Sequence, residues 1–383
     1  MIKQISQARA RVPVSAAILG GLISLGLLVA LYRFLRGLGA ISNLSNAYPW
    51  GLWISFDLLC GVALGAGAFM MAGTVYILGL ERYRPILRPA ILTGFLGYVM
   101  VVLALLVDLG RPERIWHLMI YWNPHSVLFE VGWCVMLYTT VLALEFSPLL
   151  FERLGLKTPL KLIHAITVPL VILGVVLSTL HQSSLGSMFL AMPEKLNALW
   201  YSSLMPLFFF LSAAAVGIAM VIVEATVSAR AFKREIEVGL LGSLARAVPY
   251  ILGLYAILKL VDLAVAGELN LLFAARVETV LFWIEIAVGV IAPILLFAQP
   301  QTRRSASRMF WAALLVIGGV VLNRFNVSLL ALAHRDGAWY LPHWMELAVT
   351  VGIVAGGITA YWLVARLFPL FGVEDRGTEI PAH

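Results

Sequence analysis

Long apolar stretches separated by short polar turns run through almost the whole chain, near residues 13–35, 49–80, 86–108, 125–150, 159–182, 199–227, 240–264, 276–298, 306–332 and 344–369. A hydrocarbon core about 30 Å thick takes roughly 20 apolar residues per helical crossing, and each stretch is long enough. None alternates apolar with polar positions as a barrel strand would, so all ten are predicted to be helices. The second is long enough to imply tilt or an interfacial end. Pro169, Pro206, Pro249 and Pro293 fall inside stretches and predict kinks whose freed carbonyls find partners on neighbouring helices. Gly61 with Gly65, and Ala63 with Gly67, have the small-xxx-small spacing that lets helices pack closely.

Composition agrees with this pattern. The 383 residues are 61% hydrophobic and 12% charged, with a mean hydropathy of +0.95; a soluble domain is about 45–50% apolar and about 25% charged. An ordinary soluble enzyme, a disordered chain and a disulfide-stapled domain are excluded. The expectation is an all-α polytopic transmembrane bundle, a single integral membrane domain over 1–383 with short tails at 1–12 and 370–383. Lys3, Arg9 and Arg11 precede a first stretch that reads as a retained span rather than a cleaved leader. Cys60 and Cys134 both lie in apolar runs, so no disulfide, no thiolate metal site and no iron–sulfur cluster is expected of this chain.

The net charge of +7 does not read as nucleic-acid binding, because the basic residues are spread over short loops. Ten crossings put 18 Lys and Arg residues on the side shared by both termini and 7 on the other; Lys259 and Arg324 lie within spans and complete the 27. Positive loops stay inside, so both termini are expected in the cytoplasm.

Charge inside hydrocarbon is costly and marks a ligand site, a pathway or a buried pair. With this orientation, most of it falls in the outer half. Asp57 lies early in the second stretch and Asp108 ends the third. Glu130 begins the fourth after His125, and His181 with Gln182 closes the fifth. Asp57, Asp108, Glu130 and His181, with His125 and Gln182 nearby, are expected to converge near the outer surface. A neutral imidazole and carboxylates there supply the hydrogen bonds and protons that a quinone head requires. Glu145, His164, Glu224, Lys259, Asp262, Glu285 and Arg324 read either as a proton path or as ion pairs within the bundle. Lys259 and Asp262, three apart, are expected to neutralise each other. Arg324 is expected to pair with Glu285, Asp262 or Glu346, and Glu278 and Glu346 to lie near solvent. Bis-histidine haem needs two histidines at matched depth on facing helices. His164 and His181 share one helix about 25 Å apart, and His117, His125, His334 and His343 lie at outer loops or helix ends, so no haem is expected. A rival reading is an ion-coupled transporter built on Lys259, Asp262 and Glu285, but no half of the chain repeats the other in sequence.

The run from Tyr48 to Asp57 (YPWGLWISFD) resembles the opening of the membrane quinone-reactive subunits of the NrfD/PsrC superfamily. Asn123 to Glu130 (NPHSVLFE), Leu144 to Pro148 (LEFSP), Thr179 to Met188 (TLHQSSLGSM) and Phe282 to Glu285 (FWIE) bring the resemblance closer to the HybB type, the membrane subunits of type-2 uptake nickel–iron hydrogenases. The resemblance covers nearly the whole chain, and it is carried by the order, spacing and depth of these blocks together. It implies electron exchange with menaquinone or ubiquinone, without haem in this chain. It also implies a periplasmic assembly of a ferredoxin-like iron–sulfur subunit with nickel–iron hydrogenase large and small subunits. Polysulfide, nitrite, sulfite and multihaem-cytochrome complexes use subunits with the same PWG…D segment, so the catalytic partner stays open. The chain reads as a subunit of an oxidoreductase that holds no redox centre of its own.

Overall fold

The structure, a computed structural model, describes residues 14–45, 48, 50–332, 340–368 and 370–371. His334 and the basic residues Lys3, Arg9, Arg11, Arg335 and Arg376 lie outside them. All regular structure among the described residues is helical, and ten helices are long and apolar enough to cross a membrane. They are span 1 (Val14–Arg36), span 2 (Trp53–Ile77), span 3 (Glu81–Asp108), span 4 (Val127–Leu154), span 5 (Lys157–Ala191), span 6 (Met205–Ala231), span 7 (Val238–Val265), span 8 (Val277–Ala298), span 9 (Ala306–Leu330) and span 10 (Trp344–Leu367). The chain is a multi-pass integral membrane protein. Leucines such as Leu27, Leu28 and Leu35 of span 1 are exposed on its outside, as a lipid-facing helix requires.

Spans 2–5 close into a ring of four, each packing on the next and span 5 returning to span 2; spans 6–9 close in the same way. The rings share a seam where span 6 packs against spans 2, 3 and 5, and span 9 against span 2. The order of packing thus repeats although the sequence does not. At the seam a Cβ on Gly67 would sit 3.0 Å from the Gly217 carbonyl oxygen, so backbones approach there as the spacing predicts. Gly61 and Gly65 instead face Val101 and Tyr98 of span 3. Spans 1 and 10 pair outside the rings, with Gly26 against Gly352, and lie along span 3 and the start of span 2.

The prolines act differently from one another. Pro169 lies within the unbroken helix Lys157–Ser187. Pro206 makes no kink, because it falls in the first turn of span 6, where a missing N–H costs nothing. Span 7 breaks just before Pro249, between Val238–Leu244 and Ala247–Val265. In span 8, Pro293 follows a wide π-helical turn at Ala287–Ile291. Further π-helical turns lie at Trp53–Leu58 and Gly73–Ile77 of span 2 and at Asn326–Leu330 of span 9.

Candidate functional site

Asp57 sits in the first wide turn of span 2, a backbone form often found at functional sites. It is buried, and its Oδ2 accepts a hydrogen bond from Thr350 Oγ1 of span 10 at 2.6 Å. Asp108, at the end of span 3, is within electrostatic range of Asp57, and its Oδ1 is buried without a partner. Arg33 of span 1 is buried rather than solvated in a loop. It donates Nε to the Val107 carbonyl at 2.7 Å and Nη2 to the Leu109 carbonyl, closing the free C-terminal carbonyls of span 3. Glu346 departs from the expectation of solvent contact. It is fully buried because it caps its own helix and accepts from the backbone N–H groups of His343 (3.0 Å) and Asn43 (2.9 Å) and from the Tyr340 hydroxyl. Burial and this carboxylate push the Tyr340 hydroxyl above its ordinary range.

On span 5, His181 is fully buried, with Nδ1 2.9 Å from the Tyr98 hydroxyl of span 3. The Tyr98 ring stands edge-on to Tyr138 at 4.7 Å, and Ser178 lies beside both hydroxyls. His181 Nε2 has no partner. Gln182 donates to the Val62 carbonyl of span 2 at 3.0 Å, while its Oε1 is buried without a partner. Glu130 accepts from Ser184 Oγ at 2.5 Å. The expected residues therefore share the half of the first ring that lies away from the described chain ends but form three sets: Asp57 near Asp108, His181 beside Gln182, and Glu130 with Ser184. His125 stays apart, exposed on the loop between spans 3 and 4.

The second ring buries a separate polar network. Glu285 accepts from Trp200 Nε1 (2.8 Å), Asn323 Nδ2 (2.8 Å) and Asn326 Nδ2 (2.7 Å). Lys259 Nζ lies 3.9 Å from Asp262 Oδ2, as their spacing predicts, and Ser202 donates to Asp262 at 2.6 Å. Arg324 makes no direct ion pair with Glu285. It donates to Asn323 Oδ1 at 2.6 Å, and the Asn323 amide relays to the carboxylate, with the guanidinium over the Phe209 ring at 3.7 Å. A short amide between two elements fills the gap that a direct pair would need to close.

Towards the opposite end of the bundle, Glu224 of span 6 accepts from the Tyr361 hydroxyl of span 10, and its Oε2 is buried without a hydrogen-bond partner. Glu224 lines two cavities. One, of about 40 Å³, reaches Arg234, Glu235 and Glu237 beyond the end of the span. The other, of about 10 Å³, has room for roughly one water and reaches Thr93, Gly65 and Gly67. Glu145 lies between spans 4 and 5 beside Gly174. His164 is exposed on span 5. Charge and depth reveal Asp57, His181, Glu224 and Glu285, but not their partners Thr350, Tyr98, Tyr361, Trp200, Asn323 and Asn326. The available signal was a hydroxyl or amide inside an apolar stretch, best seen in Asn323 and Asn326 flanking Arg324.

Comparison with known proteins agrees with this architecture. The profile of the family described as "Polysulphide reductase, NrfD" matches residues 40–333. A protein of Nitratidesulfovibrio vulgaris (strain Hildenborough) is 40% identical over 92% of this chain and 93% of its own. The probable Ni/Fe-hydrogenase 2 b-type cytochrome subunit of Escherichia coli K12 is 34% identical over 92% of this chain and 91% of its own. The menaquinone reductase integral membrane subunit of Nitratidesulfovibrio vulgaris is 32% identical over 91% and 89%. With a profile spanning spans 2–9 and relatives aligned almost end to end, the chain belongs to the NrfD family.

Proposed function

We propose that this chain is the membrane-embedded quinone-reactive subunit of a respiratory oxidoreductase, working in a nickel–iron uptake hydrogenase. The observation that carries the reading is the buried His181, held at Nδ1 by Tyr98 with Nε2 unpartnered, in the same outer half-ring as the buried Asp57. The relatives add support, one named as a hydrogenase subunit and another as part of a menaquinone reductase. A bound menaquinone or ubiquinone supplies the two-electron, two-proton chemistry. His181 Nε2 and the Gln182 side chain would hold its head, and Asp57, Asp108 and Glu130 would exchange protons, with His125 at the outer mouth.

In this reading electrons come from a ferredoxin-like iron–sulfur subunit and the hydrogenase large and small subunits on the periplasmic face. The reading has no haem in this chain; among the described residues His181 is buried, whereas His164 of the same helix is exposed. Glu224, with its two cavities, and Glu145 belong to a proton path on the inner side. Lys259, Asp262, Glu285 and Arg324 serve as buried pairing. The whole chain acts as one domain of a bacterial inner membrane with both termini cytoplasmic. A second reading keeps the quinone chemistry with another catalytic partner, and the name of the menaquinone reductase relative favours it.

Asp57→Asn and His181→Ala should abolish quinone-linked turnover of the isolated complex while leaving donor oxidation with a soluble dye intact. Normal quinone reduction by both variants overturns the site. Gentle-detergent capture of the tagged chain, with its partners identified by mass spectrometry, should return a ferredoxin-like subunit with a nickel–iron pair. A molybdenum or multihaem partner would select the second reading.

A further inference from the structure

Thr350 and Tyr361 lie on one face of span 10. Eleven residues apart, they are about three turns and roughly 16 Å separated along the axis, pointing to the same side. The outer hydroxyl donates to Asp57 and the inner one to Glu224. These carboxylates belong to different spans and different depths, one in the outer half of span 2 and one in the inner half of span 6. Between the two contacts, on the same face, Gly357 brings span 10 against span 3: a Cβ there would lie 2.1 Å from Met100 Sδ. On the opposite face Gly352 meets Gly26 of span 1, where a Cβ would lie 2.8 Å from the Gly26 Cα. Span 10 is gripped on both sides, so its two hydroxyls are fixed relative to the rings.

The family profile covers residues 40–333, so spans 1 and 10 lie outside it. A carboxylate in an apolar interior has two equivalent oxygens and several rotamers. A donor on one oxygen fixes its plane and leaves the other to act. Tyr361 holds Glu224 Oε1 in this way, Oε2 is left without a hydrogen-bond partner, and Glu224 lines both cavities.

We propose that span 10 is the positioning element for both carboxylates, with Thr350 orienting Asp57 and Tyr361 orienting Glu224 from outside the eight-span core. The inference rests on the proposed quinone function. Each hydroxyl acts through the carboxylate it holds.

The test uses the complex isolated with its native partners. Turnover and KM are measured with a soluble menaquinone analogue. Redox-induced infrared difference spectra follow the carboxyl bands, which Asp57→Asn and Glu224→Gln assign. Thr350→Val should lower kcat about tenfold, the scale of one hydrogen bond to a charged group, with KM nearly unchanged. It should also shift the band lost in Asp57→Asn, and Thr350→Ser should restore both. Tyr361→Phe should shift the band lost in Glu224→Gln. If Thr350→Val fails to assemble, Tyr361→Phe, which keeps the ring, carries the test alone. Unmoved bands in both variants, or a Thr350→Ser that behaves like Thr350→Val, overturn the positioning role. In that case an inactive Asp57→Asn still supports the quinone reading, whereas full turnover in Asp57→Asn and His181→Ala sinks the quinone reading itself.

Discussion

A buried side chain in this protein is defined by what it touches. Glu285 holds three N–H donors and, through Asn323, the charge of Arg324. Glu285→Leu would leave those donors unmet and a guanidinium buried without a countercharge, which costs roughly 3–5 kcal/mol. Thermal unfolding in detergent should show the loss clearly, and Asp262→Asn, at the partly exposed end of the network, should show much less. Asp57, His181 and Glu285 could be read from sequence because charge and imidazole are rare inside apolar stretches and expensive there. Thr350, Tyr98 and Tyr361 could not, because threonine and tyrosine are ordinary in such stretches and only the packing reveals which carboxylate or imidazole each meets. Glu346 departs from its expected solvent contact because nearness to a helix end is not nearness to water: it is buried as the cap of its own helix.

At the scale of the helix, hydrophobic length located all ten spans, with ends within six residues except in span 5, which continues nine residues beyond 182 to Ala191. Helix interruptions were less legible. Proline was expected to set them, yet Pro206 begins a helix and the wide turns of spans 2 and 9 contain no proline. Contact between helices depends more on glycine. A Cβ on Gly217 would lie 2.8 Å from the backbone at Ala66, whereas one on Gly253 meets nothing within 4 Å. Gly217→Ala should therefore push the two rings apart and cost about 1–3 kcal/mol, while Gly253→Ala should gain up to about 1 kcal/mol of helix propensity. Opposite shifts in the melting temperature of the two purified variants would check this.

For the whole molecule, the uneven spread of Lys and Arg over the loops predicts both termini in the cytoplasm. A fluorescent protein fused to the C-terminus should glow, and alkaline phosphatase fused at the same place should stay inactive; the reverse would invert the orientation of every span. The number of crossings was legible from the sequence, but their grouping was not, because the two rings repeat a path rather than a set of residues. That repeated path has a consequence for descent. Four crossings bring a chain back to the side from which it set out, so a ring can be gained, lost or exchanged between proteins without turning the remainder upside down. The outer pair follows a different arithmetic: one helix before the core and one after it each carry a terminus across the membrane, so the two termini still share a side.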